Sequence, residues 1–288
     1  MTLLAQEPRG VPAPAQVMAR AGGENFPVAS RLLPRRERAH LLAIYGFARL
    51  VDELGDTLSG DRLEALDWLA GELDLAFAGR AEHPLLIALQ PTLSECGLAR
   101  EPFLRLIEAN RADQRVKRYE TWEQLRAYCA LSADPVGELV LEVFGAASVE
   151  TVRLSDSICT ALQLAEHCQD VSEDLACGRV YLPLEDLERF GCSIADLQAP
   201  HAGPQLREVL AFEVARARAL LAEGLPLVAA LHGRAKLGVA GFIAGGSAAL
   251  SSIERAGYDV LPGPPPVGRL LALRALAVTL GSARGRRV

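Results

Sequence analysis

Two pairs of carboxylates carry the chemistry this chain can be expected to perform. In Gln163–Pro183, QLAEHCQDVSEDLACGRVYLP, Asp170 and Asp174 stand four residues apart in an apolar helical context. Asp52 and Asp56 repeat that spacing in AIYGFARLVDELGD. An i, i+4 step places both carboxylates of a pair on one helical face, one turn apart. Hard oxygen donors of this kind suit Mg²⁺, which keeps several waters and binds substrate phosphate oxygens alongside one or two carboxylates. Two helices that each offer such a pair could hold divalent cations between them and so clamp a diphosphate. A lone DxxxD is as readily a solvated surface or a helix end. Two of them, each among polar neighbours at helical spacing, point to a metal site.

The neighbours extend each pair into a stripe. Tyr45, Arg49, Asp52 and Asp56 follow one another at steps of four, three and four. Gln163, Glu166 or His167, Asp170 and Asp174 do much the same in the second stretch. The other faces of the first segment are almost wholly apolar, so a buried helix with its stripe lining a cavity is expected. Arg49 and Arg179 suit a diphosphate, because the guanidinium fork matches phosphate oxygens in geometry and charge. Tyr45 and Tyr128 could face a carbocation, or be core tyrosines with a bonded hydroxyl. His167 reads as a packed or half-exposed histidine rather than a base. Asp56 falls near a helix end, where an anion opposes the dipole, which hints at use.

The elements that must hold these residues are helical. Of 288 residues, 50% are hydrophobic but only 5% aromatic, so the apolar mass is mainly Ala, Leu and Val, which favours helix over sheet. Helical periodicity runs from Pro34 to Asp56, then over about 61–79, 83–97 and 101–112. It continues over 120–145, interrupted at Asp134-Pro135, and over 149–176 as one long helix closed by Gly178. Further helices are expected at 184–190, 204–232, 235–257 and 267–281, the last after a Pro-rich linker. Residues 1–14 read as a disordered tail and 15–288 as one helical domain. No strand alternation, glycine-rich phosphate loop or fixed-period repeat is legible.

The same composition excludes several partners. A formal net charge of −6 makes nucleic acid a poor partner, and the basic tail Arg284, Arg286 and Arg287 reads as a solvated terminus. The six cysteines form no CxxC and no metal spacing, and no signal peptide is legible, so free thiols in a reducing cytoplasm are expected. The longest uncharged run, Leu237–Ile253, carries four Gly and three Ser and reads as a core helix rather than a membrane span.

These motifs resemble the squalene and phytoene synthase family of head-to-head prenyl synthases, over roughly Gly22 to Tyr258. The matching residues are Arg49-Leu-Val-Asp52-Glu-Leu-Gly-Asp56, the segment Gln163 through Asp170-Val-Ser-Glu-Asp174, and GRVYLP at Gly178–Pro183. Tyr128-Cys129, with Val136-Gly137 after it, looks like the family's substrate-cavity helix. ENFPVAS at Glu24–Ser30 and YCALSADPVG at Tyr128–Gly137 look most like the hopanoid-pathway branch, which converts presqualene diphosphate to hydroxysqualene. The resemblance implies an all-α, single-domain isoprenoid-synthase bundle with a central cavity. It implies Mg²⁺ on Asp52, Asp56, Asp170 and Asp174, with Tyr128 joining these four in catalysis. Substrate contacts are implied at Tyr45, Arg49, Gln163, Glu166, Arg179 and Tyr181. It further implies a prenyl diphosphate substrate, peripheral contact with the inner face of the membrane for product release, and other hopanoid-pathway enzymes as partners.

Two departures bear on the branch. Where many members read QLxNxxRD, this chain has Glu166 and Gln169, and Glu53 stands where many have a second aspartate. Losing a cation beside Asp170 weakens the hold on a second diphosphate, which suits a substrate bearing only one. Two other readings stay open: a synthase condensing two allylic diphosphates to presqualene diphosphate, squalene or phytoene, and a non-catalytic helical partner in lipid synthesis.

Overall fold

The structure, a computed structural model, describes residues 7–19 and 33–284. ENFPVAS and the terminal Arg286 and Arg287 lie outside the described residues. Proline and serine signals set most helix starts. Helix α1 (Pro14–Ala19) precedes α2 (Arg35–Asp56), whose N-cap is Pro34 at φ −57°, ψ 155°. Pro34 therefore stands just outside the helix, where its missing N–H costs nothing. Then come α3 (Arg62–Phe77), α4 (Pro84–Cys96) and α5 (Glu101–Arg115). Next are α6 (Trp122–Ser132), α7 (Asp134–Val143) and α8 (Val149–Gln169). A capping box opens α8, with Ser148 and Thr151 each accepting the other's backbone N–H.

The expected single helix 149–176 is two. It breaks at Asp170 (φ −100°, ψ 18°), which caps α8 and precedes α9 (Val171–Ala176). After α10 (Leu184–Arg189) comes a short 3₁₀ turn, Ile194–Gln198, which the periodicity did not announce. The expected helix 204–232 is also divided, at Leu225, into α11 (Pro204–Gly224) and α12 (Pro226–Ala230). Pro226 cannot donate its N–H to the preceding turn. The series ends with α13 (Gly233–Arg255) and α14 (Arg269–Arg284). Among the described residues the only extended pairing is an isolated parallel bridge, Arg118 with Val180.

The chain groups into two compact units. The first comprises Met1–Arg115 and Pro135–Ala147. Here α2 packs on α1, α3, α4 and α5. Its apolar faces bury Phe47, Leu50 and Leu54 completely, and Phe47 meets Phe103 edge-on with centroids 5.0 Å apart. Fully burying a side chain of this size contributes roughly 1.5–3 kcal/mol, so these faces fix which side of α2 is left for the polar stripe.

The second unit comprises Val116–Asp134 and Ser148–Val288, with α8 packed on α6, α11 and α13. Asp134, buried at the end of its segment, accepts from Arg126 Nη1 at 2.8 Å and Thr160 Oγ1 at 2.9 Å, which ties α6 to α8. Among the described helices α13 is long and apolar enough to cross a membrane. More than half of that stretch is buried against α8, α11, α12 and α14, as in a core helix.

Candidate active site

The first acidic pair lies at the end of α2. Tyr45, Arg49 and Asp52 are half-buried and Asp56 is exposed, so the stripe is the helix face that reaches solvent. Arg49 Nη2 donates to Glu53 Oε1 at 3.0 Å, and its Nη1 stands 3.9 Å from Asp52 Oδ2. Glu53 is buried and also accepts from Thr57 Oγ1 at 2.7 Å, so it anchors Arg49. Asn110 of α5 donates to Asp52 Oδ1 at 3.4 Å. That contact depends on Gly55, because a Cβ there would stand 2.0 Å from Asn110 Oδ1. Arg62 donates to the Asp56 carbonyl at 2.8 Å, placing a cation at the helix end where Asp56 opposes the dipole. Sequence reasoning missed Asn110, whose nearness to Asp52 is set by helix packing across 58 positions.

The second pair sits at the α8–α9 break. The Asp174 N–H still bonds the Asp170 carbonyl at 2.8 Å, so the two residues remain one turn apart although the helix is interrupted. Burial, with the Glu173 charge adding to it, pushes the Asp170 carboxyl up to about 6. After α9 the chain closes in a Schellman turn. Gly178 takes φ +76°, its N–H reaches the Leu175 carbonyl at 2.9 Å, and the Arg179 N–H reaches that of Asp174 at 2.8 Å. The expected glycine stop is thus present, and it delivers Arg179 next to Asp174.

Beyond Arg179 the backbone is laced to the segment before α6. Val180 N–H bonds the Lys117 carbonyl at 2.9 Å, Leu184 N–H that of Tyr119 at 2.9 Å, and Glu185 N–H that of Glu120 at 3.0 Å. This lacing assembles an aromatic wall. Tyr181 has ring centroids 5.9 Å from Tyr119, 5.5 Å from Tyr128 and 4.2 Å from His167, the last nearly parallel at 6°. All four side chains are buried. Burial drives the His167 pKa down to about 3, so its ring is neutral. Gln163 Nε2 lies 3.0 Å from His167 Nε2, while Glu166 is half-buried on the same helix. A pocket of about 10 Å³ is lined by His167, Val171, Asp174, Arg179, Val180, Tyr181, Leu182 and Leu197.

The structure therefore gathers Gln163, His167, Asp174, Arg179, Tyr128 and Tyr181 in one region of the second unit, and Tyr45, Arg49, Asp52 and Asp56 on one stripe of the first. Among the described residues no three His, Cys, Asp or Glu side chains form a metal cage. The donor set nevertheless fits Mg²⁺, which takes one or two carboxylates per ion with water and substrate phosphate completing the shell. The half-buried Asp170 beside Glu173 is a donor that a cation would relieve.

Helices throughout, two DxxxD pairs and an apolar aromatic wall define an all-helical isoprenoid-synthase-like bundle. Residues 19–271 match the family model for squalene/phytoene synthase, and the chain belongs to that family. It is 39% identical to the hydroxysqualene synthase of Rhodopseudomonas palustris over 72% of this chain and 70% of the relative. It is 33% identical to the presqualene diphosphate synthase of the same organism, over 72% and 75%. Among solved structures it is similar to squalene synthase HpnC from Alicyclobacillus acidocaldarius. That match has 49% identity and a TM-score of 0.79, and covers 85% of this chain and 93% of the other. The chain is an enzyme of a family that releases diphosphate, which sets aside the non-catalytic reading.

Proposed function

We propose that this enzyme converts presqualene diphosphate and water to hydroxysqualene and diphosphate. The observation that carries the reading is the setting of Asp170. Its immediate neighbour Gln169 is a buried neutral side chain, and the charge that weighs on Asp170 is that of Glu173. A site built this way suits a substrate with one diphosphate better than a pair of allylic diphosphates. Asp52 and Asp56, and Asp170 and Asp174, would hold Mg²⁺, which when bound stabilises the charge developing on the leaving group. Arg49 in the first unit and Arg179 in the second each offer a guanidinium suited to a diphosphate. The Tyr119–Tyr128–Tyr181 wall offers a carbocation non-nucleophilic, electron-rich faces and excludes bulk water. A C30 product that must leave to a lipid phase supports a cytoplasmic enzyme in peripheral contact with the inner face of the membrane, in reach of other hopanoid-pathway enzymes.

The test is product analysis with Mg²⁺ and no reductant. Hydroxysqualene formed from presqualene diphosphate alone is expected. The second reading, a condensing or squalene-forming synthase, is favoured by the likenesses to presqualene diphosphate synthase and to squalene synthase HpnC. Presqualene diphosphate formed from farnesyl diphosphate would replace the first reading with the second.

A further inference from the structure

The proposed reaction consumes one water, and the inference that follows rests on that reading. We propose that His167 is the positioning residue that holds this water, in the pocket it shares with Asp174, Arg179 and Tyr181.

His167 is 5% exposed, and its Nδ1 has no hydrogen-bond partner among the described residues. Its Nε2 is engaged by the Gln163 amide at 3.0 Å. If the amide nitrogen donates, Nε2 is the acceptor and Nδ1 carries the ring proton. If the amide is turned over and its oxygen accepts, Nε2 carries the proton and Nδ1 keeps a lone pair. In both cases Nδ1 retains one buried hydrogen-bonding capacity, and leaving such a group unmade is costly. The ring cannot turn away, because Tyr181 stacks on its face at 4.2 Å. Beside it lies a pocket of about 10 Å³, the size that holds a single water. Four lining side chains carry polar atoms able to bond that water: His167, Asp174, Arg179 and Tyr181. The rest of the lining, Val171, Val180, Leu182 and Leu197, has apolar side chains.

A carbocation captured by one water needs that kind of store: a water counted and oriented by fixed polar groups. In the capture step a lone pair of the water oxygen forms the new C–O bond to the cation. The resulting oxonium then gives up one proton to an oxygen of the diphosphate released on ionisation. His167 orients the water and does not take the proton. The sum is presqualene diphosphate plus water giving hydroxysqualene plus protonated diphosphate.

The experiment measures hydroxysqualene formed per diphosphate released in full-length protein with presqualene diphosphate. His167→Phe keeps a ring against Tyr181 and removes both nitrogens, whereas His167→Asn keeps a polar atom near the Nδ1 position. In His167→Phe that ratio is expected to fall by about fivefold to tenfold, the worth of one net hydrogen bond, with unhydroxylated hydrocarbon taking up the balance. His167→Asn is expected to restore much of it. An unchanged ratio in His167→Phe overturns the proposal, and so does an equal loss in His167→Asn, which a purely structural role would produce. A crystal structure of the wild type that places ordered waters reads the site independently of folding in either variant. A water within hydrogen-bond reach of His167 Nδ1 is expected, and a dry pocket overturns the proposal even where hydroxysqualene is made. Wild-type protein that releases diphosphate without hydroxysqualene, yet shows that water, overturns the functional reading and the delivery step together.

Discussion

The two acidic pairs share a spacing and differ in almost everything around it. Asp52 lies on an unbroken helix with Asn110 at 3.4 Å and Arg49 at 3.9 Å, so the protein itself supplies a donor and a cation. Asp170 lies at a helix break, half-buried, with the like charge of Glu173 adding to the burial that raises its carboxyl. Asp52 is oriented before anything binds. In the second, burial and the Glu173 charge weigh on Asp170, a load that a bound cation would relieve. Identical motifs in a sequence can therefore sit in unequal settings, one already engaged by its neighbours and one burdened by burial and a like charge.

The largest effect that would test this contrast comes from Asp170→Asn. Turnover is expected to fall about 10²-fold or more, the scale of losing electrostatic stabilisation of a leaving group. Metal-free protein should melt at a higher temperature, because a half-buried charge is gone. Asp52→Asn should lose comparable turnover without that rise, since Arg49 loses a nearby carboxylate charge while Asn110 still finds an amide oxygen to bond. Equal melting shifts in the two variants would break the comparison.

A second buried acid in the same unit has to be separated from Asp170. Glu213 is fully buried, contacts Arg216 and Asp186, and is pushed up to about 8, chiefly by burial. The folded protein then holds a proton that the unfolded chain gives up near its ordinary value of 4.5. Glu213 should therefore lower stability as pH rises from about 4.5 to about 8, by at most about 1.4 kcal/mol per pH unit, most visibly above about 6.5, where the opposite contribution of the neutral His167 ends. Thermal melts across that window should show the slope in wild type and a flatter one in Glu213→Gln. A slope that persists in the variant below about pH 6 belongs to Asp170, and one that persists above it overturns the assignment to Glu213.

The smallest expected effect probes the first pair. Gly55→Ala puts a Cβ 2.0 Å from Asn110 Oδ1 and 2.9 Å from its Cγ, so the Asn110 side chain must move off Asp52. Overpacking of this kind costs about 1–3 kcal/mol, read as a lower melting temperature together with reduced kcat. A variant that melts lower but turns over normally would show that Asn110 only packs, and would remove the preorganisation argued for Asp52.

Much of this was legible from residue types. The apolar period of α2 and the stripe Tyr45, Arg49, Asp52 and Asp56 follow from side-chain spacing alone, and Gly178 announced the helix stop it makes. The break at Asp170 was not legible, because neither proline nor glycine stands there and Val171 continues an apolar pattern. Pro226 did stand at the second break and its signal was passed over. Asn110 and the Tyr119 member of the aromatic wall reach the site through helix packing and backbone lacing, which no local pattern encodes. His167, read as a packed or half-exposed histidine, is packed, stacked on Tyr181 at the edge of the pocket.

The lacing of Val180, Leu184 and Glu185 to Lys117, Tyr119 and Glu120 has a consequence for how such a site can change over generations. Main-chain atoms make those three bonds, so their register survives exchange of the side chains that project from them. Positions 119 and 181 can accept smaller or larger rings while the chain path stays where it is. Product choice could thus drift by single substitutions on a scaffold that need not be rebuilt each time, a route by which one ancestral catalyst yields descendants with different products.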